Sequence, residues 1–177
     1  MAKLTGKNVL MVIAPDGFRD EELANPKGIL EKDGAKVTIA STKRGACSGM
    51  LGARVTADAA VSEAKASDYD AVVVVGGSGS PAHLWGSAPL HQILRDAKQA
   101  NKVIGGICLS GAALARAGVL AGKNATVWRT DESIAEMREG KAKLSDAPVV
   151  VDGKIVTANG PEAANDFGRK LAQLLGE

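Results

Sequence analysis

The chain has 177 residues, of which 45% are hydrophobic but only 3% aromatic, and its formal net charge is +2. A chain of this length can bury a sizeable core, built here mainly from Val, Ile, Leu and Ala. The small charge and the scattered Lys and Arg residues argue against a nucleic-acid partner, and no apolar run is long enough to span a membrane.

The first elements are predicted to be a strand and a broken helix. Asn8–Ala14 is a continuous apolar run, which is typical of a parallel strand buried on both faces. Phe18–Asp33 is predicted to be a loop followed by a helix. Pro26 should end or kink any helix that begins at Asp20, which leaves Lys27–Asp33 as a second helical piece.

A second strand and a long loop are predicted next. Lys36–Ser41 alternates and is rich in β-branched residues, as strands are. Thr42–Gly52 is predicted to be a loop, in which nothing suggests activation of Cys47. Arg54–Thr56 is predicted to be a short strand and Val61–Ala66 a weak helix.

The second half continues the alternation of strands and helices. Ala71–Val75 is the clearest buried strand, and Gly76–Pro81 follows it as a glycine-rich turn. Leu90–Ala100 is an amphipathic helix, and Val103–Leu120 is a strand that passes into a helix. The remaining predicted elements are a short strand at Thr126–Trp128, a helix at Asp131–Glu139, a hairpin of Pro148–Val151 and Lys154–Ala158, and a last helix at Glu162–Leu175.

This alternation predicts an α/β fold with a mostly parallel sheet covered by helices on both faces. Ligands of such sheets bind at the carboxyl ends of the strands. The Pro15–Glu22 loop, Gly76-Gly77 and Cys108 all follow strands directly, so we expect them to converge at one edge. No repeat or linker is present, and residues 1–177 are predicted to form one domain.

The cysteine count and the start of the chain indicate a cellular setting. Two cysteines without paired spacing do not make a disulfide framework. Met1–Lys7 is too short and polar for a signal peptide. We therefore expect a protein of the reducing cytoplasm.

The turn around Cys108 has the pattern of a nucleophile elbow. Gly106, Cys108 and Ser110 give small–x–Cys–x–small spacing, which allows the sharp strand-to-helix bend that exposes one reactive side chain. The Gly105-Gly106 pair relieves crowding there. A helix N-terminus favours thiolate, so we expect a thiol pKa below the ordinary ~8.5. The alternative is a buried structural cysteine.

The glycine-rich turn after Val75 has two possible uses. Such a turn can cradle phosphate, but neither a Gly-Lys-Ser/Thr sequence nor a complete G-x-G-x-x-G is present. The preferred interpretation is that its backbone N–H groups approach Cys108 as an oxyanion hole.

The two histidines, His83 and His91, both precede Cys108. An α/β-hydrolase triad needs its His after the nucleophile, as does a class I glutamine amidotransferase, so both chemistries are nearly excluded. His91 is predicted to lie on a solvated helix face. His83 is a possible partner of the elbow, within its subunit or across a dimer, and a surface His is the alternative.

A carboxyl group from the first loop is the other candidate partner. A carboxylate beside a thiolate is repulsive unless one of the two holds a proton. A protonated acid that donates a hydrogen bond to sulfur would stabilise the thiolate. The residues alone do not separate Asp20, Glu21 and Glu22.

Five motifs in order resemble the ThiJ/PfpI superfamily, also called the DJ-one family, of class I glutamine amidotransferase-like fold. They are the first strand, Gly-Phe-Arg-Asp-Glu-Glu-Leu, Val-Val-Val-Val-Gly-Gly, Gly-Ile-Cys, and Val-Val-Asp-Gly-Lys-Ile-Val-Thr-Ala-Asn-Gly-Pro. The resemblance implies a flavodoxin-like three-layer sandwich, usually a homodimer or larger. It also implies a reactive Cys108 with Glu22 as its acid partner, because the spacing to Pro26 matches, and backbone donors at Gly77 and Leu109.

Three positions depart from the family pattern. Leu109 stands where the PfpI branch, whose members are named intracellular proteases or amidases, has His directly after the cysteine, so peptidase activity is doubtful. Asn159 stands where many members have Arg, and Arg19 where many have a further acidic residue.

The preferred functional hypothesis is an enzyme in which a Cys108 thiolate attacks a small electrophile while Glu22 shuttles the proton, and the resemblance implies that it is of the glyoxalase, deglycase or hydrolase type. We expect no metal and no cofactor. The alternative is a non-enzymatic stress protein in which Cys108 is oxidised to sulfinic acid. A third is an interaction module or chaperone with a vestigial pocket.

Overall fold

The computed structural model describes residues 3–177, and a seven-stranded sheet lies at its centre. Neighbouring strands of this sheet are parallel except for the two at one edge, which form an antiparallel hairpin. With strands numbered along the chain, the order across the sheet is β11 (Val149–Asp152), β12 (Ile155–Ala158), β8 (Val103–Ile107), β7 (Ala71–Val74), β1 (Asn8–Val12), β3 (Lys36–Ser41) and β6 (Ala59–Ala60).

Helices cover both faces of this sheet, and two small sheets flank it. The helices are α1 (Asp20–Lys32), α2 (Ser80–His83), α3 (Ala88–Gln99), α4 (Gly111–Ala117), α5 (Asp131–Glu139) and α6 (Ala164–Leu175). The small sheets are β2 (Asp16–Phe18) with β4 (Gly45–Gly49) and β5 (Arg54–Ala57), and β9 (Asn124–Ala125) with β10 (Lys143–Leu144). The predicted α/β fold is confirmed.

The core consists of two apolar layers, one on each face of the sheet. Alternation along β1 divides its side chains: Leu10 and Val12 join the layer under α3 and α4, while Val9 and Met11 join the layer under α1 and α6. All four are fully buried. This arrangement of helices, sheet and helices explains why the central strands are apolar without interruption.

The predicted break in the first helix is wrong. α1 runs without interruption from Asp20 to Lys32 with Pro26 inside it. Pro26 cannot donate to the carbonyl of Glu22, which normally weakens a helix. Here Pro26 is buried against α6, where a Cβ at Gly168 would lie 2.9 Å from the Pro26 Cα atom, so tertiary packing overrides the local preference.

The predicted Thr42–Gly52 loop is also wrong, because it contains β4. β4 pairs with β5 as an antiparallel hairpin. The Asp20 carboxylate anchors the tip of this hairpin by accepting the backbone N–H groups of Leu51 at 3.1 Å and Ala53 at 2.9 Å. The glycine-rich sequence of β4 gives no clear strand pattern, because this strand is stabilised mainly by pairing with its neighbouring strands.

Three other boundaries shift. The strand predicted at Thr126–Trp128 is β9, which ends at Ala125, and the last helix begins at Ala164 after a 3₁₀ turn at Pro161–Ala163. The weak helix predicted at Val61–Ala66 is a pair of 3₁₀ turns, Val61–Glu63 and Ala66–Asp68.

The short polar start predicted for Met1–Lys7 falls partly on residues 1 and 2, which lie outside the described residues. Within residues 3–177, none of the helices has the length and apolar character needed to cross a membrane.

Candidate active site at the Cys108 elbow

The chain turns sharply at Cys108, directly after β8. Cys108 has a φ of 60°, which side-chain-bearing residues rarely adopt. A 3₁₀ turn at Cys108–Ser110 leads into α4. Holding such a backbone costs on the order of 1–3 kcal/mol and persists only where the surroundings fix it. The elbow geometry expected from the small residues around Cys108 is therefore present.

The Gly105-Gly106 pair serves packing on the two faces of β8. A Cβ at Gly105 would lie 2.9 Å from the ring of Phe167 in α6. A Cβ at Gly106 would lie 2.9 Å from the side chain of Leu114 in α4. Both helices thus approach the strand closely just before the elbow, which sets the position of Cys108.

The turn after β7 brings Gly76 and Gly77 to the same place. The Arg19 N–H donates to the Gly76 carbonyl at 2.9 Å, which joins this turn to the start of α1. A Cβ at Gly76 would lie 2.6 Å from both Cys108 Cβ and Glu22 Oε1. Only glycine leaves room for these two side chains to meet across the turn. Gly77 has a φ of 120°, a conformation that glycine accepts readily.

Glu22 is the carboxyl group that faces Cys108. It lies in the first turn of α1, is fully buried, and neither of its oxygens has a hydrogen-bond partner of ordinary geometry among the described residues. Burial raises the pKa of Glu22 to about 7, although interactions with Cys108 and with the positive charge of Arg19 act to lower it. At neutral pH this carboxyl group is poised to take or give a proton.

The structure separates the three acidic residues that the sequence left open. Asp20 holds the β4–β5 hairpin, as described above. Glu21 is half-buried, and its two oxygens accept hydrogen bonds from Arg19 Nε and Nη2, each at 3.0 Å. That ion pair lowers the pKa of Glu21. Glu22 alone of the three is directed at the elbow.

The expected low thiol pKa is wrong. Burial, together with the nearby charge of Glu22, raises the pKa of Cys108 to about 12. The backbone N–H groups of Leu109 and Gly77 oppose this by interacting with the sulfur. Desolvation outweighs these donors, since a buried anion loses its hydration. A base must therefore take the thiol proton at neutral pH.

The sulfur faces a small cavity of about 240 Å³, although Cys108 as a whole is only 7% exposed. Around the cavity lie the predicted donors and several apolar side chains. Its lining residues are Arg19, Met50, Gly77, Ser78, Cys108, Leu109, Trp128 and Pro161. A wider cavity of about 560 Å³ shares Arg19, Trp128 and Pro161 with it and extends to Arg129 and Asn159. A small molecule can therefore reach the elbow.

The other cysteine and the histidines lie elsewhere. Cys47 is buried in β4, with its sulfur 3.7 Å from the Gly45 carbonyl oxygen. His83 is exposed on α2 and does not line the Cys108 cavity. His91 is half-buried rather than on a solvated face, and its Nε2 bonds the Trp85 carbonyl at 2.7 Å. Among residues 3–177, no group of three or more His, Cys, Asp or Glu side chains could hold a metal ion.

Sequence reasoning did not assign five of the residues that line the cavity to the site: Arg19, Met50, Ser78, Trp128 and Pro161. The sequence pattern predicts a loop at Met50 and the end of a strand at Trp128. Met50 and Trp128 are 44% and 49% exposed, which is unusual for such large apolar side chains and is visible only in the fold. Signals were available for three of the five: Arg19 and Ser78 lie in segments expected to converge on Cys108, and Pro161 belongs to the last family motif.

These features define a class: a three-layer α/β protein with a cysteine at a strand-to-helix elbow and a buried acid beside it. The chain belongs to the DJ-1/PfpI family, whose model matches residues 7–174. The ThiJ/PfpI resemblance and the flavodoxin-like sandwich predicted from the sequence are both confirmed.

Several known proteins are similar to this chain over most of its length. An uncharacterised protein of Methanocaldococcus jannaschii is 44% identical, with 94% of this chain and 82% of that protein covered. A protein of Thermococcus kodakarensis named deglycase is 30% identical over 94% and 98% of the two chains. A glutathione-independent glyoxalase of Caenorhabditis elegans is 24% identical over 96% and 89%. The crystal structure of a ThiJ/PfpI domain protein of Brachyspira murdochii has a TM-score of 0.89 at 35% identity, with 96% and 98% covered.

Proposed function

We propose that this protein is a cysteine-dependent enzyme that acts on small reactive electrophiles, with reactive aldehydes as the substrate class. The observation that carries the proposal is the buried Glu22 carboxyl, which has no hydrogen-bond partner in the described part of the chain, lies beside Cys108, and has a pKa of about 7. A general base works best when its pKa lies near the working pH. A purely structural carboxyl group would be expected to have partners.

The chemistry assigned to the pair begins with proton transfer. Glu22, as a carboxylate, takes the thiol proton of Cys108 while the sulfur attacks the aldehyde carbon. The new C–S bond gives a hemithioacetal, and its oxyanion sits near the backbone N–H groups of Leu109 and Gly77. Glu22 then returns the proton to that oxygen. With a 2-oxoaldehyde, proton transfer between the two carbons and addition of water release a 2-hydroxy acid.

The size of the cavity favours a small substrate over a peptide. A volume of about 240 Å³ beside the sulfur accommodates a few heavy atoms, and Leu109 occupies the position where a Cys-His dyad would need its histidine. The names deglycase and glyoxalase carried by two relatives agree with chemistry on small carbonyl compounds.

The direct test is the consumption of methylglyoxal by wild type, Cys108→Ser and Cys47→Ser. We expect Cys108→Ser to lose activity by a factor of roughly 100 or more, because the nucleophile is removed. Cys47→Ser, the control for loss of a buried thiol, should keep it. Turnover that survives Cys108→Ser would refute the enzymatic role.

The alternative function is an oxidative-stress sensor. In it, two molecules of hydrogen peroxide convert the Cys108 thiolate to a sulfinate and two molecules of water. The observation that favours it is the same set of backbone donors, which would hold sulfinate oxygens. Mass spectrometry after mild peroxide treatment distinguishes the cases. Cys108 should be oxidised well before Cys47, and equal oxidation of the two would exclude a sensor.

We also propose the setting in which the enzyme works. The two unpaired cysteines agree with a reducing cytoplasm. The exposed Met50 and Trp128 beside the cavity agree with a homodimer or larger assembly, in which such apolar side chains would be covered. Native mass spectrometry of the full chain tests the assembly, and a monomer at micromolar concentration would contradict it.

A further inference from the structure

The polar residues behind the elbow form a connected, buried hydrogen-bond network. Ser110 Oγ donates to the Val75 carbonyl at 2.7 Å, and Ser80 Oγ lies 2.8 Å from Ser110 Oγ. Ser110 has a single hydroxyl proton, which the Val75 carbonyl takes, so Ser80 must be the donor to Ser110. Both serines are fully buried. The direction of every bond in this network is thereby fixed.

This network joins the two segments that carry the predicted oxyanion donors. Val75 precedes Gly77 by two residues, and Ser110 follows Cys108 by two. The Ser110–Val75 bond therefore links the end of β7 to the elbow of β8 at the level of the anion pocket. Gly77 and Leu109 come from different strands, so their spacing depends on such a link.

A second set of bonds fixes the elbow from outside. Trp85 Nε1 donates to the Leu109 carbonyl at 2.8 Å, and the Trp128 N–H donates to the Cys108 carbonyl at 3.1 Å. These bonds hold two peptide groups of the turn, but neither reaches the Gly76-Gly77 turn. Among residues 3–177, only the serine network joins the elbow by side-chain hydrogen bonds to Val75 and Ser80, which flank that turn.

We propose that Ser110, supported by Ser80, is a positioning residue that sets the distance between the Gly77 and Leu109 N–H groups and so tunes the anion pocket for Cys108. Ser110 does not touch the substrate, and it is more than the small residue that the elbow pattern requires. This inference rests on the proposed function for its catalytic consequence, but its effect on the thiol can be measured without any substrate.

The test compares the rate of Cys108 alkylation by iodoacetamide, as a function of pH, in wild type and Ser110→Ala. Alanine preserves the size and removes the hydroxyl. We expect the rate at pH 8 to fall roughly tenfold and the profile to shift to higher pH, because misplaced donors stabilise the thiolate less well. With methylglyoxal, kcat should fall by a similar factor while KM stays within about twofold.

Ser41→Ala is the matched control. Ser41 Oγ is also fully buried and donates to a strand carbonyl, that of Ile13, at 2.7 Å, but it has no link to the elbow. It should lose comparable stability and keep the wild-type alkylation profile. Ser110→Ala with the same profile as Ser41→Ala would overturn the inference.

Two further outcomes have defined meanings. If Ser110→Ala does not fold, Ser80→Ala replaces it. We then expect the alkylation rate to fall about threefold, because one supporting hydrogen bond is removed. A wild-type alkylation profile for Ser80→Ala would overturn the inference. Alkylation of wild type without aldehyde turnover refutes the proposed function alone. A wild-type Cys108 that iodoacetamide cannot modify refutes both.

Discussion

Glu22 keeps its proton in the folded chain to a pH well above its usual range. Its carboxyl group is buried without a hydrogen-bond partner among residues 3–177, and burial raises its pKa from 4.5 to about 7. The unfolded chain releases this proton near pH 4.5. Between these values the folded state binds one more proton, so its stability is greatest at low pH and declines as pH rises through 7.

Glu22→Gln removes this dependence. We expect the wild-type free energy of unfolding to fall by up to about 3 kcal/mol between pH 4.5 and 8 from this group, and Glu22→Gln to lack that decline. Urea unfolding of both proteins across this range measures it. Parallel pH profiles for wild type and Glu22→Gln would show that folding leaves the pKa of Glu22 at its ordinary value, which would contradict this prediction.

The same residue explains why the elbow alone does not activate the thiol. The short 3₁₀ turn after Cys108 supplies N–H groups, yet burial still raises the thiol pKa to about 12. Above about pH 7 the pair therefore carries one negative charge, which lies on the Glu22 carboxylate while Cys108 keeps its proton. Reactivity depends on moving one proton from Cys108 to Glu22, and not on a free thiolate.

At the scale of elements, the β4–β5 hairpin depends on α1. The Asp20 carboxylate accepts hydrogen bonds from two backbone N–H groups at the hairpin tip. Met50 lies in the chain between β4 and these two groups, and its side chain lines the Cys108 cavity. The Ser78 N–H also points to the Met50 sulfur at 3.3 Å. One wall of the cavity is thus held by the first residue of a helix.

Asp20→Ala should release this wall. We expect the free energy of unfolding to drop by about 1–3 kcal/mol, because two backbone donors lose a charged acceptor. Hydrogen exchange at Leu51 and Ala53 should quicken more than in β8. Glu21→Ala is the control, since Glu21 makes no bond to the hairpin and its partly exposed ion pair with Arg19 contributes little. Unchanged exchange at both amides in Asp20→Ala would contradict the anchoring role.

Elements with a strong local pattern were predictable, and those that depend on tertiary partners were not. The apolar runs of β7 and β8 and the capped helix α5 follow directly from their residues. Continuity of α1 through Pro26 depends on packing against Gly168, which is 142 residues away in the chain. Spacing within one segment cannot show such a contact.

The site follows the same division. The elbow at Cys108 and the converging turns were predictable because carboxyl ends of parallel strands share one edge. The pKa of the thiol could not be predicted from the sequence, since it depends on how completely the two core layers exclude water from the sulfur. The serine network could not be predicted either, because a serine two residues after the elbow cysteine is equally consistent with a requirement for a small side chain alone.

At the scale of the whole molecule, the site lies where both core layers meet the sheet edge. Phe167 of α6 is fully buried and packs on Gly105, three residues before Cys108. Phe167→Ala should lower the free energy of unfolding by about 3–5 kcal/mol and leave a cavity under β8. We also expect slower alkylation of Cys108. Leu10→Ala, in the opposite layer, is the comparison, and identical alkylation in all three proteins would show that β8 does not transmit the change.

The bond from Arg19 to Gly76 ties the first loop to a turn 57 residues later, and Cys108 follows after a further 32 residues. Parallel pairing of this kind requires long stretches of chain to close before any contact stabilises them, which slows folding. The acid and the thiol can therefore meet only after β1, β7 and β8 have aligned. In a refolding experiment, Cys108 is alkylated readily while its thiol is exposed in the unfolded chain, and the slowing of this alkylation as the thiol becomes buried marks the last stage of assembly.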